Sequence, residues 1–323
     1  MNLVMRDTLE SDLDQCLALA SDRFLYDARS LRLMRRMWSH IINSRAGEAG
    51  VLVSPHRMSN VLFFGFSVFV TNERARRYQE LKHPGIALGM AEEWNAGGQP
   101  FLELAEIARA NATDGLNLVV THYGFAAPAG DEALGDQLRF ASYESFRKHH
   151  EGLNFRSFTH EVFDPSSMEM GQGWGFRVGY YSEQALRAVH IPVDKAPCVW
   201  MATRIDARGR PGAVFPNMLF RTHVPPQFGF SLREQMLLKL GLEGFTDDGI
   251  AAALGASMAT VKKRLRSIYD KVHDASPDDG SGPISGQHPN GARGREMRRS
   301  LLNYLRAHPE ELHPYNVAHR SRR

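Results

Sequence analysis

Apolar positions along the chain follow two different periods, and the change between them divides it. Asp12–Asp22, Ser30–Ile42, Leu102–Ala110, Leu138–His149 and Ser182–Val189 space their apolar residues three and four apart, which predicts helices. Val51–Val53, Asn60–Val70, Leu116–His122, Gly175–Tyr181 and Val199–Ile205 are short and rich in Val, Phe, Tyr and Thr, which predicts strands. Helices mixed with strands over residues 1–223 predict an α/β (or α+β) domain. Phe63, Phe64, Phe66 and Phe69 crowd one strand, so it is either buried on both faces or floors an apolar cavity. Beyond His223 the period is helical only.

Turn-forming residues sharpen these limits. Val224 to Phe230 contains Pro225-Pro226, which stiffens a linker over 224–230. A helical segment follows over 231–273. Residues 274–294 are dense in Gly, Pro, Ser and Asp and predict a flexible loop. Residues 295–323 predict a last helix, over 295–308, and a basic tail. The run GFAAPAGDEALG at 124–135 reads as another loop.

Composition narrows the class. With 323 residues and 43% hydrophobic content the chain can bury a large core. No apolar run reaches the roughly 18 residues of a membrane span, and no basic-then-apolar leader opens the chain. Two cysteines, Cys16 and Cys198, without a CxxC pair predict neither a disulfide framework nor a zinc site. These points predict a cytoplasmic protein without membrane contact. The net charge is only +3, but residues 231–323 hold 15 Lys+Arg against 11 Asp+Glu. The basic excess sits where a nucleic-acid contact would use it.

The helical segment can be read residue by residue. Ser231 and Glu234 form an S-x-x-E capping box for a first helix. Thr246 caps a second, with Asp247 and Asp248 in its first turn. Gly255 permits a sharp turn, and Ser257 caps a third. At 100° per residue, Val261, Leu265, Ile268 and Val272 form a narrow apolar seam, while Lys262, Lys263 and Arg266 point away from it. A helix built this way fits the major groove of double-stranded DNA.

This segment resembles the DNA-binding domain of the LuxR (GerE) family of bacterial transcription regulators. The resemblance rests on Arg233-Glu234, Gly244, Thr246, Ile250-Ala251, Leu254, Ser257 and Thr260-Val261-Lys262, and covers about 45 residues. It implies a helix-turn-helix domain that contacts DNA through Ser257, Thr260, Lys262, Lys263, Arg264, Arg266 and Lys271. Lys262, Lys263 and Arg266 would read bases, with Arg264 and Lys271 on phosphates. It also implies a homodimer with recognition helices about 34–36 Å apart, and an N-terminal domain that senses a small-molecule effector or a partner; the chain is not expected to be an enzyme, a point left open for that domain. Two departures stand out. Gly249 replaces the family's Glu, and the 274–294 loop separates the third helix from the only candidate for a fourth.

The first residues, Val4-Met5-Arg6 with Asp12-Leu13, resemble the opening of a GNAT acyltransferase domain. That implies an acyltransferase-like enzyme domain as the alternative for residues 1–223. The family's phosphate-cradling pattern, Arg/Gln-x-x-Gly-x-Gly/Ala, is not found after Leu116–Tyr123. His149, His150, His160 and His190 show no metal-ligand spacing, and neither metal nor cofactor is expected. Met168–Gly175 is Gly-rich and carries Trp174, so it reads either as a turn or as pocket lining.

Overall fold

A computed structural model describes residues 3–24, 26–54, 57–126, 132–163, 166–208, 212–221, 223–275 and 293–316. Most of the 274–294 loop, part of the 124–135 loop and the basic tail lie outside them. The chain forms two compact units, Met1–Thr222 and His223–Arg323.

The first unit is a mixed α/β fold on a seven-stranded sheet. Its strands are β1 (Val4–Asp7), β2 (Gly47–Ser54), β3 (Arg57–Val70), β4 (Leu116–Phe125), β5 (Phe155–Val162), β6 (Arg177–Tyr180) and β7 (Cys198–Thr203). They lie in the order β1-β2-β3-β4-β5-β7-β6. Every neighbouring pair is antiparallel except β4 and β5, which run parallel. A parallel pair needs a crossover, and the helix Glu132–His150 supplies it.

Both sheet faces are buried. On one, Phe64, Phe66, Val68 and Val70 pack with Trp38, Met34 and Met37 of the helix Ala28–Ser44. Trp38 stacks on Phe66 with ring centroids 4.5 Å apart. On the other, Phe69 joins Leu116, Leu118, Val120, Phe155, Phe158 and Trp200. Strand periodicity explains the split, since alternate residues of β3 face opposite ways. Both cysteines are buried free thiols.

Several elements depart from the expected pattern. Strand β5 was not anticipated, nor were the helices Asn72–Gln79, Ile86–Asn95, Arg204–Arg208 and Val214–Leu219. Met168–Gly175 falls largely within a helix, Ser166–Gly173.

The second unit is helical: Leu232–Leu242, Asp247–Ala253, Met258–Ala275 and Arg293–Ala307. The capping box forms: Ser231 N donates to Glu234 Oε2 at 2.7 Å. Thr246 accepts from Gly249 N, and Gly255 adopts a left-handed φ of 57° at the turn. Val261, Ile268 and Val272 are buried against Leu237, Leu238 and Ile250. The last helix inserts Leu301 and Leu305 into the same core, and its Arg298 pairs with Asp247. Among the described residues no helix is long and apolar enough to cross a membrane.

Candidate functional site

The site begins with an irregularity in β4. Phe66 pairs with His122, but Ser67 pairs with Val120, leaving Thr121 as an extra residue. Its hydroxyl donates to the Phe66 carbonyl at 3.1 Å. Such a bulge reverses the side-chain alternation that follows it. Val120 and Tyr123 therefore face the same side as Ser67 and Gly65, while His122 turns toward Trp38.

Pairing of β4 with β5 ends at Val120 and His160, although both strands run on. Across the sheet at that point lies one row, Ser67–Val120–His160–Trp200, taken from four strands. All four residues line a cavity of about 760 Å³. The helix Glu132–His150 forms the opposite wall with Tyr143, Phe146, His149 and His150. These lie three, four and seven positions apart and so share one helical face.

The cavity has two ends of different chemistry. Trp174, Phe176, Trp200 and Phe215 form the aromatic end, with Trp174 stacked on Phe215 at 5.4 Å. Glu48, Ser67, His149 and His150 gather at the other. There Ser67 Oγ lies 2.8 Å from His150 Nε2, and His150 Nδ1 lies 2.7 Å from the Phe146 carbonyl. A carbonyl only accepts, so Nδ1 bears the proton and Nε2 accepts from the serine hydroxyl. Burial pushes the His150 pKa down to about 3, so the ring is neutral.

His149 behaves differently. Its Nδ1 donates to the Ser145 carbonyl at 2.8 Å, and its Nε2 lies 3.4 Å from Asp7 Oδ1. Burial opposes the charge, yet Asp7, helped by Glu48, raises its pKa above the ordinary value. Gly50 makes room for this ring: a Cβ there would lie 2.6 Å from His149 Cε1. On the other face His122 Nε2 and Tyr26 Oη are 2.8 Å apart, and burial lowers the His122 pKa to about 3.

Sequence reasoning singled out His149, His150 and His160 but gave them no role, and it passed over Ser67. Cross-strand register brings these residues together, and no local motif announces it. Trp174 lines the pocket, and the Phe-rich strand both fills the core and floors the cavity through Phe63. Among the described residues no cluster of potential metal ligands occurs.

The residues expected to touch DNA lie on or beside the helix Met258–Ala275. Lys262, Lys263 and Arg266 are exposed, and Arg264 is half-buried. Ser257 Oγ accepts from Thr260 N at 3.2 Å, so both serve the start of that helix. Lys271 Nζ lies 2.6 Å from Glu234 Oε2, in an intramolecular ion pair. Burial of Glu234 opposes ionisation, but Lys271 and Ser231 hold its pKa below the ordinary value.

The first unit is a mixed α/β fold on a seven-stranded sheet with one parallel pair, β4–β5. Solved structures similar to the chain include an N-acetyltransferase from Staphylococcus aureus Mu50, at 13% identity and a TM-score of 0.34, over 63% of this chain and 99% of that one. A polyamine N-acetyltransferase from Drosophila melanogaster matches at 11% and 0.35, over 62% and 100%. A spermidine N-acetyltransferase from Vibrio cholerae matches at 13% and 0.36, over 62% and 93%. At these identities and TM-scores the likeness carries no conclusion about activity. No protein-family model and no curated protein matches the chain.

These findings correct two expectations. A LuxR-type transcription regulator with a non-catalytic sensor domain is overturned by matches that are acetyltransferases over the N-terminal region. The expectation that the chain is not an enzyme falls with it.

Proposed function

We propose that the N-terminal unit is an acyltransferase that uses an acyl thioester as donor, and that the helical unit is a double-stranded-DNA-binding module attached to it. The observation that carries the first half is the end of β4–β5 pairing at Val120 and His160, above a cavity of about 760 Å³. An extended, amide-bearing donor can lie along β4 as an added strand, with its acyl group in the cavity. That volume far exceeds an acetyl group, and the aromatic end favours a longer or aromatic acyl chain. Residues 124–135 lack the phosphate-cradling pattern, so small thioesters belong in the test beside CoA esters.

The experiment measures thiol release from acetyl-, octanoyl- and phenylacetyl-CoA and from octanoyl-pantetheine, together with tryptophan emission. Octanoyl and phenylacetyl donors are expected to quench emission from Trp174 and Trp200 and to release thiol faster than acetyl-CoA. No binding and no thiol release with any donor would remove the acyltransferase reading.

The second half is supported by exposed Lys262, Lys263 and Arg266, opposite buried Val261, Ile268 and Val272. Fluorescence anisotropy with duplex DNA at two salt concentrations tests it. Lys262→Ala/Arg266→Ala is expected to weaken binding roughly tenfold or more and to flatten the salt dependence. Unchanged binding would assign the basic face to solvent. Lys271→Ala serves as a contrast, because that side chain is already held by Glu234.

A further inference from the structure

We propose that Ser67 is a nucleophile with His150 as its general base, so that acyl transfer runs through an ester on Ser67 Oγ; this rests on the acyltransferase reading above. The geometry supplies three parts of an activated hydroxyl. The nucleophile and base are 2.8 Å apart, the base is oriented by the Phe146 carbonyl at 2.7 Å, and both side chains line the cavity. Ser67 and His150 are 2% and 5% exposed, so bulk water does not compete for the hydroxyl; the Glu48 carbonyl, at 3.5 Å from Ser67 Oγ, is a second and longer acceptor beside His150 Nε2 at 2.8 Å.

The position of Ser67 is as telling as its partner. It shares the row Ser67–Val120–His160–Trp200 with the last paired residues of β4 and β5. A donor lying along β4 would present its carbonyl near this row and its acyl chain toward Trp174 and Phe215. The bulge at Thr121 keeps Val120 and Tyr123 on the side that Ser67 faces. His149 lines the same end, with its Nε2 held 3.4 Å from Asp7 Oδ1.

The chemistry balances in two steps. Ser67 Oγ attacks the thioester carbonyl while His150 Nε2 takes the hydroxyl proton. The C–S bond breaks, and the proton passes to the departing thiolate, giving an acyl ester and free thiol. An amine, alcohol or water then attacks that ester, His150 takes its proton, and Ser67 regains its hydroxyl as the ester bond breaks.

The test omits any acceptor. The full chain is mixed with octanoyl-CoA or with p-nitrophenyl octanoate, acid-quenched at short times and weighed intact, with peptide mapping. The expected result is a burst of leaving group stoichiometric with protein and an octanoyl adduct on Ser67. Ser67→Ala should carry no adduct, and Ser67→Cys should carry it as a thioester. His150→Gln should slow acylation roughly 100-fold or more. Circular dichroism of each variant checks the fold.

Turnover of octanoyl-CoA by Ser67→Ala at the wild-type rate would overturn the nucleophile and leave acyl transfer standing as direct attack. Adduct from the nitrophenyl ester but none from the thioester would support Ser67 and remove the thioester donor. No adduct on wild type or Ser67→Cys from either donor would overturn the inference.

Discussion

Three histidines in the first unit show how position decides charge. His122 and His150 are both buried, and burial lowers each to about 3. His149 sits against Asp7 and is raised instead. For His150 the folded pKa is the lower one, so between about 3 and 6.5 the unfolded chain binds the extra proton. Its contribution to stability is therefore complete above pH 6.5 and falls as pH drops. The stability difference between wild type and His150→Gln should shrink by about 1.4 kcal/mol per pH unit below 6.5. Urea unfolding at pH 7, 6 and 5 measures it, and a pH-independent difference would mean that folding leaves the His150 pKa unshifted. His149 has the opposite sign: its contribution is complete below its unfolded pKa and is lost as pH rises through the raised value.

At the scale of elements, the site depends on how closely the helix Glu132–His150 approaches β2 and β3. Gly50 permits that approach, because any side chain there meets the His149 ring. Gly50→Val should push the last turn of the helix outward, with an overpacking cost of about 1–3 kcal/mol. Octanoyl-CoA should then quench tryptophan emission less. Chemical denaturation and ligand titration read the two effects, and wild-type values in both would show that the wall has room to spare.

Elements also explain what the sequence disclosed. Strand β3 announced itself because aromatics fill both of its faces. The second unit was legible through Ser231, Thr246, Gly255 and the Val261–Ile268–Val272 seam, since caps and seams are local. Strand β5 was hidden because Ser157, Thr159, His160 and Glu161 are all buried polar residues. Their partners come from distant segments: Ser157 Oγ donates to Asn117, and Glu161 accepts from Gly85 N, Ile86 N and Tyr181. The cavity was hidden for a related reason. Its β4 wall, Val120 and Tyr123, depends on the one-residue slip at Thr121, and a bulge leaves no periodic mark.

At the scale of the molecule, two hydrophobic cores make two units with different responses to acid. The first unit holds His122 and His150, both lowered by burial. In the second, Glu234 is lowered, so its stabilising pair with Lys271 is complete above pH 4.5 and is lost only at lower pH. Between pH 7 and 5 His122 and His150 weaken the first unit and Glu161, raised by burial, offsets part of that; in the second Glu234 keeps its contribution and Glu311, raised by burial, adds to it as pH falls. All 4 tryptophans, at 38, 94, 174 and 200, lie in the first unit, so their emission follows that unit alone. Helical circular dichroism follows both. Urea titrations at pH 7 and pH 5 should move the tryptophan midpoint down, while a later helical transition keeps its place or moves up. If both signals shift together at pH 5, the units unfold as one, and the acid response belongs to the whole chain. Separate shifts would permit a stronger experiment, in which the first unit is acid-weakened and the second is titrated with DNA. Binding that survives would place the nucleic-acid contact in the helical unit without any truncation.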